Sequence, residues 1–536
     1  MSTKVRKNNK DIPMNNKLLN SLYQKAIRKI NENDFKGALH LVRNIQDLGS
    51  NYMVYLISGQ ILIEAGIGLE DEQMTRGGID LLQTHLKTIV QHREYAPIVY
   101  YTLANGYYEF FRIRRTKDPY YIYLKETELN HAKELYMKTL DYTNQNNIQI
   151  SKTYVNLGNC YDHLGRVVDA LECYEEALKL NPYNGMALGN KGMAMYHYGW
   201  LAGQHQATFL IEAYSYLSRA MKSEISQEAG NTFLKCRDKI RGRFSNKGVL
   251  DNPPKYPGYL INVDADFERF LIEFCMTNKL YLNICNFCQK CDAAIGDTAI
   301  IQKMRVQLNK DQDFVKDNPY YHLAAYLNQI KQDYVTSRFL LIMSRYKGLD
   351  LSFVDKRVKI INTLDYSIHN VYVQLVKHSF KNFCDILDKI ACCINNYLKL
   401  GISEKEVNFR RIWYHDPRTR KIHRGIINIK NLSLNALYDI YRDFEIGQYK
   451  GLRNTRNALT HRFVNIRMLQ ALENDENMTE TRFVEQTIKL SKIVRNVIVY
   501  LLHFVYIEER KKEKEGGEIV PSVFADEIND NLKHNR

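Results

Sequence analysis

A 34-residue pattern of small, aromatic and apolar residues that begins at Ser151 constrains the fold of this chain more than any other feature of its sequence. Gly158 and Ala170 are small enough to let two antiparallel helices approach closely, and Pro182 marks the end of the second helix. The pattern therefore predicts a helix–turn–helix unit. Its positions are Tyr154, Leu157, Gly158, Tyr161, Gly165, Ala170, Tyr174, Ala177 and Pro182.

These positions resemble the signature of the tetratricopeptide (TPR) repeat. Less regular copies of the pattern surround it, near residues 26–45, 55–82, 100–139 and 192–220. Five helical hairpins are therefore expected over residues 17–224. Such a TPR-like α-solenoid offers a concave surface for a protein or peptide trigger and carries no chemistry of its own. A purely structural stalk is the alternative.

The remaining sequence predicts further helices, so the fold class is all-α. Three prolines between residues 253 and 257 indicate a Pro-rich linker at 225–263. Apolar residues at helical spacing then predict a helical connector at 264–350 and a four-helix-type bundle at 351–510, the latter with a helical pattern that starts near Val354. The charged segment 511–536 is expected to be a flexible tail.

Charge and cysteine content limit the function classes. The net charge of +15 favours a polyanionic partner. The segment from Lys405 to Arg467 contains fourteen basic and five acidic residues, which fits a rim that attracts RNA and a solvated basic loop equally well. No uncharged apolar run is long enough to span a membrane. Residues 1–17 carry no apolar signal segment, and ten cysteines suit a reducing compartment, so a cytoplasmic location is expected.

Arg456 and His461 form the most reactive constellation in the chain. They stand in the segment Leu452–Arg462, with Asn457 directly after the arginine. Apolar residues recur at helical spacing through this region, so the pair is expected to lie on a helix. Its neighbours Arg453, Asn454 and Arg462 are candidate contacts to RNA at the rim of the site.

Two other Arg-x4-His pairs occur, Arg410/His415 and Arg418/His423, although the abundance of both residues predicts about one such pair in total. Pro417 lies between them and disfavours a helical backbone at the preceding residue. We therefore interpret these two pairs as loop residues without a catalytic role.

The order of these features resembles the HEPN superfamily of ribonucleases. Asp388 stands in an early helix, a basic loop follows, and then come the Arg456-Asn457-x3-His461 motif and a final long helix. The resemblance spans roughly residues 260–510. The sequence similarity is carried by residues 383–400, 407–413 and 436–462. These segments resemble the branch of HEPN domains that follows TPR-like arrays in bacterial proteins.

The resemblance implies that Arg456 and His461 carry catalysis, that Asn457 is the preferred polar residue after the arginine, and that Asp388 is a supporting polar partner. It also implies that no metal cofactor is required for catalysis and that two HEPN domains pair so that two motifs line one cleft. Inactive HEPN domains exist as well, so the resemblance alone does not decide whether this chain is an enzyme.

The chemistry of metal-free RNA cleavage agrees with these roles. It needs a base for the 2′-OH, an acid for the leaving oxygen, and cations for the phosphate. His461 can serve as acid or base, and Arg456 can hold phosphate oxygens. Five residues along an ideal helix place the two about 140° apart, so one copy directs them poorly at one phosphate. A two-fold homodimer would let the arginine of one chain meet the histidine of the other.

A cluster of four cysteines lies upstream, at Cys275, Cys285, Cys288 and Cys291. Zinc and iron–sulfur sites both use such thiols, but zinc sites usually pair two separated knuckles, and the Cys-Pro element of iron–sulfur proteins is missing. The sequence therefore favours free thiols over structural zinc, and structural zinc over an iron–sulfur cluster.

Taken together, the sequence predicts a metal-independent, toxin-like endoribonuclease, suited to anti-phage defence, in which the TPR array senses a partner and a dimeric HEPN domain cleaves RNA by attack of the 2′-OH. The alternative is a non-catalytic TPR scaffold whose HEPN-like bundle only dimerises or binds RNA.

Overall fold

Local capping signals define where many helices of this protein begin. The structure, a computed structural model, describes residues 12–142, 146–255, 263, 265–301, 303–306, 318–416, 418–462, 464–468, 477–512 and 518–521. Asp34, Asn51 and Asp71, for example, each accept a hydrogen bond from a backbone N–H in the first turn of the helix that follows. The chain divides into two compact units, Met1–Tyr161 with Glu172–Ala187, and Asp162–Leu171 with Leu188–Arg536.

The first unit is built from helical hairpins, in which each helix packs against the next. Small residues set the approach of the paired helices. A Cβ atom at Gly59 would lie 2.4 Å from Leu82, and one at Gly158 would lie 2.6 Å from Tyr174. The helices are α1 (Ile12–Asn31), α2 (Phe35–Gln46), α3 (Tyr52–Gly68), α4 (Glu72–Val90), α5 (Ala96–Lys117), α6 (Glu128–Leu140), and most of α7 (Asn147–His163) and α8 (Val167–Leu180).

The second unit begins with most of α9 and continues through a longer series of helices. With α10, α9 completes the fifth predicted hairpin, in which Gly192 leaves room for Leu217. The helices are α9 (Gly185–Tyr198), α10 (Gln206–Ala220), α11 (Gln227–Arg241), α12 (Gly248–Asp251), α13 (Asp266–Asn278), α14 (Pro319–Arg345), α15 (Val371–Leu398), α16 (Arg424–Ile427), α17 (Leu432–Glu445), α18 (Lys450–His461) and α19 (Glu480–Lys511).

In the part of the chain that the structure describes, three short two-stranded sheets accompany these helices. Two of them are antiparallel, β1 (Lys303–Val306) with β6 (Glu518–Pro521) and β2 (Tyr414–Asp416) with β3 (Lys421–Ile422). The third is parallel and pairs β4 (Asn465–Arg467) with β5 (Asn477–Thr479). They occupy the ends of helices and leave the fold all-α, as predicted.

The core of the second unit is a bundle in which α14 packs against α15 and α19, while α15 and α17 both pack against α19. The middle of α19 is buried almost all round, including Val494, Val497 and Phe504. Among the described residues, α19 is the helix long and apolar enough to cross a membrane, but 83% of its most apolar stretch is buried within the protein. Such burial is typical of a core helix.

The structure corrects three expectations about segments between helices. Residues 227–241, within the predicted linker 225–263, form α11, because Gly230, Phe233, Cys236 and Ile240 make one buried face. The helical pattern expected from Val354 is not a helix until Val371, where Asn370 provides the cap. Within the predicted flexible tail, Glu518–Pro521 pair with β1. Residues 256–262, the centre of the Pro-rich segment, lie outside the described residues.

Candidate active site on helix α18

Helix α18 presents the predicted catalytic motif on its outer side. Its inward face consists of Leu452, Thr455 and Ala458, which are buried at intervals of three residues. The helix packs against α15 and α17 through this face. Asn457 and His461 are exposed on the opposite side. The motif is therefore held by a buried apolar stripe, and its polar groups remain accessible to a substrate.

Arg456 is fixed by an ion pair with Asp388 of α15. The distance from Arg456 Nη2 to Asp388 Oδ2 is 2.7 Å, and the side chains remain 38% and 30% exposed. The other carboxylate oxygen of Asp388 accepts a hydrogen bond of 2.9 Å from the backbone N–H of Phe409. The Asp388 carboxylate thus connects α15, α18 and the basic loop. Because it binds Arg456 through Nη2, other N–H groups of the guanidinium can still bind an anion.

His461 lies in the last turn of α18 and is not brought together with Arg456. Both belong to one regular helix, so their five-residue offset separates them by about 140° around its axis. Among the described residues, no side-chain hydrogen bond or ion pair involves His461. The structure thus collects Arg456 and Asp388 at one point, with Asn457 and His461 exposed beside it.

The three predicted rim residues occupy different environments. Arg453 is 30% exposed and binds Glu445, with 2.8 Å between Nη1 and Oε1. Asn454 is partly buried, and Arg462 is exposed where α18 ends. The ion pair draws Arg453 toward the protein, so Arg462 is the rim residue best placed to meet a ligand.

The basic segment around the site is more positive on its surface than its sequence suggests. Two of its five acidic residues, Asp439 and Asp443, are buried and bind the buried Arg166 at 2.9 and 2.6 Å. A third, Glu445, is also approached by Arg410 at 3.7 Å. Because these carboxylates face inward or bind cations, the exposed surface beside α18 carries mainly basic side chains.

Two titratable groups near the site were not predicted from the sequence. Asp385 lies one turn before Asp388 on α15, and burial raises its pKa, although the charge of Arg456 acts against that rise. Lys377, also on α15, donates a hydrogen bond of 2.7 Å to the Val464 carbonyl just beyond α18, and burial lowers its pKa. The three-residue spacing of the two aspartates was the available signal for Asp385.

Neither of the two other Arg/His pairs lies on a long helix. His415 is an exposed residue of β2, and His423 caps the short α16 through a hydrogen bond of 3.2 Å from Gly425 N–H. Arg410 precedes this small hairpin, and Arg418 lies in the turn between its two strands. The structure therefore places both pairs on the loop that the sequence predicted.

Three of the four candidate metal-binding cysteines come together. The sulfur atoms of Cys285, Cys288 and Cys291 all lie within 4.8 Å of one another. Cys275 is not part of this group. It lies on α13 near Arg338, and burial raises the pKa of its thiol to about 12. The predicted four-cysteine set is therefore corrected to a triad, because Cys275 faces the interior from a helix that leads away from the loop.

Comparison with protein families agrees with the predicted fold and with the two predicted kinds of domain. The family model described as LA2681-like HEPN matches residues 314–508, and the tetratricopeptide repeat model matches residues 151–184. A comparison with curated proteins found no match. The HEPN match begins at residue 314, so it includes α14, which the sequence analysis assigned to the connector. The chain thus carries a tetratricopeptide repeat at residues 151–184 and an LA2681-like HEPN domain at residues 314–508.

Proposed function

We propose that this protein is an endoribonuclease that cleaves RNA without a catalytic metal. The observation that carries the proposal is the arrangement on α18, where Arg456 is oriented by Asp388 while Asn457 and His461 remain exposed. This arrangement lies in an LA2681-like HEPN domain and beside a surface rich in Lys and Arg. An accessible imidazole, an oriented guanidinium and a basic surface are the groups that cleavage of a phosphodiester requires.

The proposed reaction is an internal transesterification of RNA. The 2′-oxygen loses its proton to a base and attacks the adjacent phosphorus, the bond from phosphorus to the 5′-oxygen breaks, and that oxygen takes up a proton. The products are a 2′,3′-cyclic phosphate and a 5′-hydroxyl end. His461 exchanges the protons, Arg456 holds the charged phosphate oxygens, and Asn457 hydrogen-bonds the substrate. DNA lacks the 2′-OH and is not a substrate.

The active form is a homodimer in this proposal, since Arg456 and His461 of one helix point about 140° apart. An apolar segment suits the role of the dimer surface. Its backbone is tied to the strand that follows α18, with Ile368 N–H donating to Ile466 at 2.7 Å and Met468 N–H donating to Tyr366 at 3.0 Å. The exposed apolar residues of this segment are Phe353, Val354, Val358, Ile360, Ile361, Leu364 and Tyr366. A second copy that covers them would bring two α18 helices close together.

The TPR array is proposed to bind a protein or peptide trigger. In the first unit, polar side chains form hydrogen bonds between the first helices of successive hairpins. Tyr23 of α1 donates to Gln60 of α3 at 3.2 Å, Gln60 donates to Glu64 at 3.0 Å, and Asn156 of α7 donates to Tyr101 of α5 at 3.1 Å. Such side chains can exchange these bonds for bonds to the backbone of an extended peptide.

A trigger-controlled ribonuclease suits a toxin-like effector, and we place it in anti-phage defence in the cytoplasm. Its cysteines support a reducing compartment, since no disulfide joins the ten thiols, all of which belong to the described residues. Induced expression tests the cellular role directly. The wild-type chain should arrest growth and leave new 5′ ends in cellular RNA, whereas the His461→Ala chain should do neither.

An assay with purified protein tests the chemistry. The wild-type chain should cut single-stranded RNA in excess EDTA and leave 2′,3′-cyclic phosphate ends, and a substrate with 2′-deoxyribose at the cut site should remain intact. Arg456→Ala and His461→Ala should each reduce the rate by at least about a hundredfold. His415→Ala is a matched control from a loop pair and should retain full activity. Equal inactivity of the wild type and His461→Ala toward every RNA would favour the non-catalytic scaffold.

A further inference from the structure

The segment between α13 and β1 is buried although it contains little regular structure. Two 3-10 turns, Ile284–Phe287 and Asp292–Ile295, are its helical elements among the described residues. Leu280, Leu282 and Phe287 are nonetheless almost completely buried. An irregular buried segment needs additional links to hold its conformation, because it lacks the hydrogen-bond ladder of a helix or sheet.

The turns of this segment bring three thiols to one side. The Asn283 side chain accepts a hydrogen bond of 2.8 Å from Cys285 N–H and so begins the first turn. The N–H groups of Cys288 and Gln289 then return to the carbonyl of Cys285, and Gln289 adopts a positive φ of 54°. These bonds curl the chain around Cys285, and the three sulfur atoms lie within 4.8 Å of one another.

The third cysteine leaves the triad open to solvent. Cys291 is partly exposed and directly precedes the turn Asp292–Ile295, whereas Cys285 and Cys288 are buried. The N–H group of Ala294 donates a hydrogen bond of 2.9 Å to the backbone carbonyl of Cys291 and holds the start of this turn. An ion from solution can therefore reach the three sulfur atoms from the side of Cys291.

His205 approaches the same group of thiols from another element. It stands directly before α10, but its side chain makes no capping hydrogen bond to that helix. The 3-10 helix Gly199–His205 packs against the turn Ile284–Phe287, and Lys290 lies 3.7 Å from Glu212 of α10. His205 ends the 3-10 helix that packs against the first turn of the triad, so its imidazole is a candidate fourth ligand of the right chemistry.

We propose that Cys285, Cys288 and Cys291 bind a structural zinc ion with His205 as the fourth ligand. A Zn–S distance of about 2.3 Å implies about 3.8 Å between sulfur atoms in a tetrahedral site, which is compatible with a triad whose atoms lie within 4.8 Å. Three thiolates and one imidazole form a closed set of ligands for zinc, with no position left for a reacting water. The site is therefore structural and takes no part in RNA cleavage.

The proposed ion would join the irregular segment to the N-terminal end of α10. The same segment contacts α19, since the Phe287 ring lies 5.8 Å from the guanidinium of Arg495. Zinc would thus fix the chain that leads into the HEPN domain. This role does not depend on ribonuclease activity.

Metal analysis of the full-length chain tests the proposal. Protein purified without chelators should contain about one zinc per chain, and treatment with a mercurial reagent should release it as the thiols react. The Cys288→Ser/Cys291→Ser double variant should contain less than a tenth of an equivalent. Cys236→Ser and Cys275→Ser are matched controls, because both residues are buried cysteines outside the triad, and they should retain the metal.

Cobalt substitution and a histidine variant test the fourth ligand. The Co²⁺ form should have the intense visible bands of a tetrahedral site with thiolate ligands. His205→Ala should transfer zinc to a chromogenic chelator at least tenfold faster than wild type, and His205→Cys should restore slow transfer. Identical transfer by wild type and His205→Ala would remove His205 from the site. Wild-type protein with under a tenth of an equivalent of zinc, a disulfide within the triad, or an iron–sulfur absorption spectrum would each overturn the zinc proposal.

Discussion

At the scale of single residues, Asp388 connects the parts of the candidate active site. Its two carboxylate oxygens bind Arg456 at 2.7 Å and the backbone of Phe409 at 2.9 Å, so it connects the motif helix with the basic loop. The ion pair is partly exposed, and its contribution to folding stability is expected to be small, about 1 kcal/mol or less. Its main effect is expected to be on the orientation of Arg456.

Substitution Asp388→Asn tests this role. The amide oxygen can still accept from Phe409, but the charge that holds Arg456 is lost, so the guanidinium becomes free to rotate away from the phosphate. We expect the rate of RNA cleavage to fall about tenfold to a hundredfold, with little change in the melting temperature. Asp388→Glu should recover part of the rate. A cleavage rate for Asp388→Asn equal to that of wild type would show that the ion pair does not position Arg456.

His503 provides a residue-scale prediction about stability. It is buried in α19, where its Nδ1 lies 2.7 Å from the Ser433 hydroxyl, and burial lowers its pKa to about 3. Between pH 6.5 and pH 3 the unfolded chain therefore binds a proton that the folded chain does not, so the free energy of unfolding decreases as the pH falls through this range.

Urea unfolding at pH 7 and pH 5 measures this effect. His503 should account for a loss of about 2 kcal/mol between the two pH values in the wild-type chain. His503→Gln lacks the titrating group, so its free energy of unfolding should decrease by about 2 kcal/mol less than that of the wild type over the same interval. Equal losses in the two proteins would mean that His503 is protonated in the folded state at pH 5.

The pattern of residues predicted part of this site, and packing supplied the rest. Arg456, Asn457 and His461 were identifiable because their short motif lies in a helical apolar pattern, and Asp388 because the family resemblance supplied its position. Lys377 was not identifiable, since its partner Val464 lies 87 positions further along the chain. Glu445 was not identifiable either, because its contact with Arg453 depends on how the chain turns between α17 and α18. Sequence spacing contains no information about such contacts.

At the scale of elements, the turn between α7 and α8 is joined closely to the HEPN domain. The turn Asp162–Leu171 belongs to the second compact unit. The buried Arg166 in this turn binds Asp439 and Asp443 of α17, and it also donates to the hydroxyl of Tyr449, the residue before α18, at 3.0 Å. Arg166 thus contacts both α17 and the residue that directly precedes the candidate catalytic helix.

Gly165 allows this turn to approach α17. Its φ is +84°, and a Cβ atom there would lie 2.2 Å from the carbonyl oxygen of Leu432. Gly165→Ala should lower the free energy of unfolding through both backbone strain and this steric clash. Gly401 is a matched control, because its φ is +72° but a Cβ atom would meet nothing within 4 Å. We expect Gly165→Ala to cost about 1–3 kcal/mol more than Gly401→Ala in urea unfolding. Equal costs would argue against the close approach.

Element predictions succeeded where two signals coincided. The hairpins combine apolar periodicity with small residues at the crossing points, so their helical character was predictable from the sequence. Residues 354–370 have apolar residues at helical spacing but are not helical. Asp365 and Ser367 instead hydrogen-bond to Asn465 beyond α18, and the first strong cap is Asn370. Those contacts are nonlocal, so periodicity alone gave the wrong helix start.

At the scale of the whole molecule, the proposed dimer surface can be tested separately from the chemistry. Ile361 is 86% exposed in the apolar segment beside the site, so Ile361→Asp should replace the dimer by a monomer in light scattering and lower cleavage at least about tenfold. Ile427, 48% exposed on α16, is the control, and Ile427→Asp should remain dimeric and active. A fully active monomer of Ile361→Asp would place the dimer surface elsewhere or exclude a dimeric active form.

The central claim is that one cleavage site combines Arg456 of one chain with His461 of another. Mixing Arg456→Ala and His461→Ala chains under conditions that allow subunit exchange tests it most directly. Each mixed dimer would contain one site with both groups intact, and half of the dimers would be mixed, so the mixture should recover about a quarter of the wild-type cleavage rate. Each variant alone should remain inactive. An active wild-type enzyme whose exchanged mixture recovers no activity would contradict the shared site.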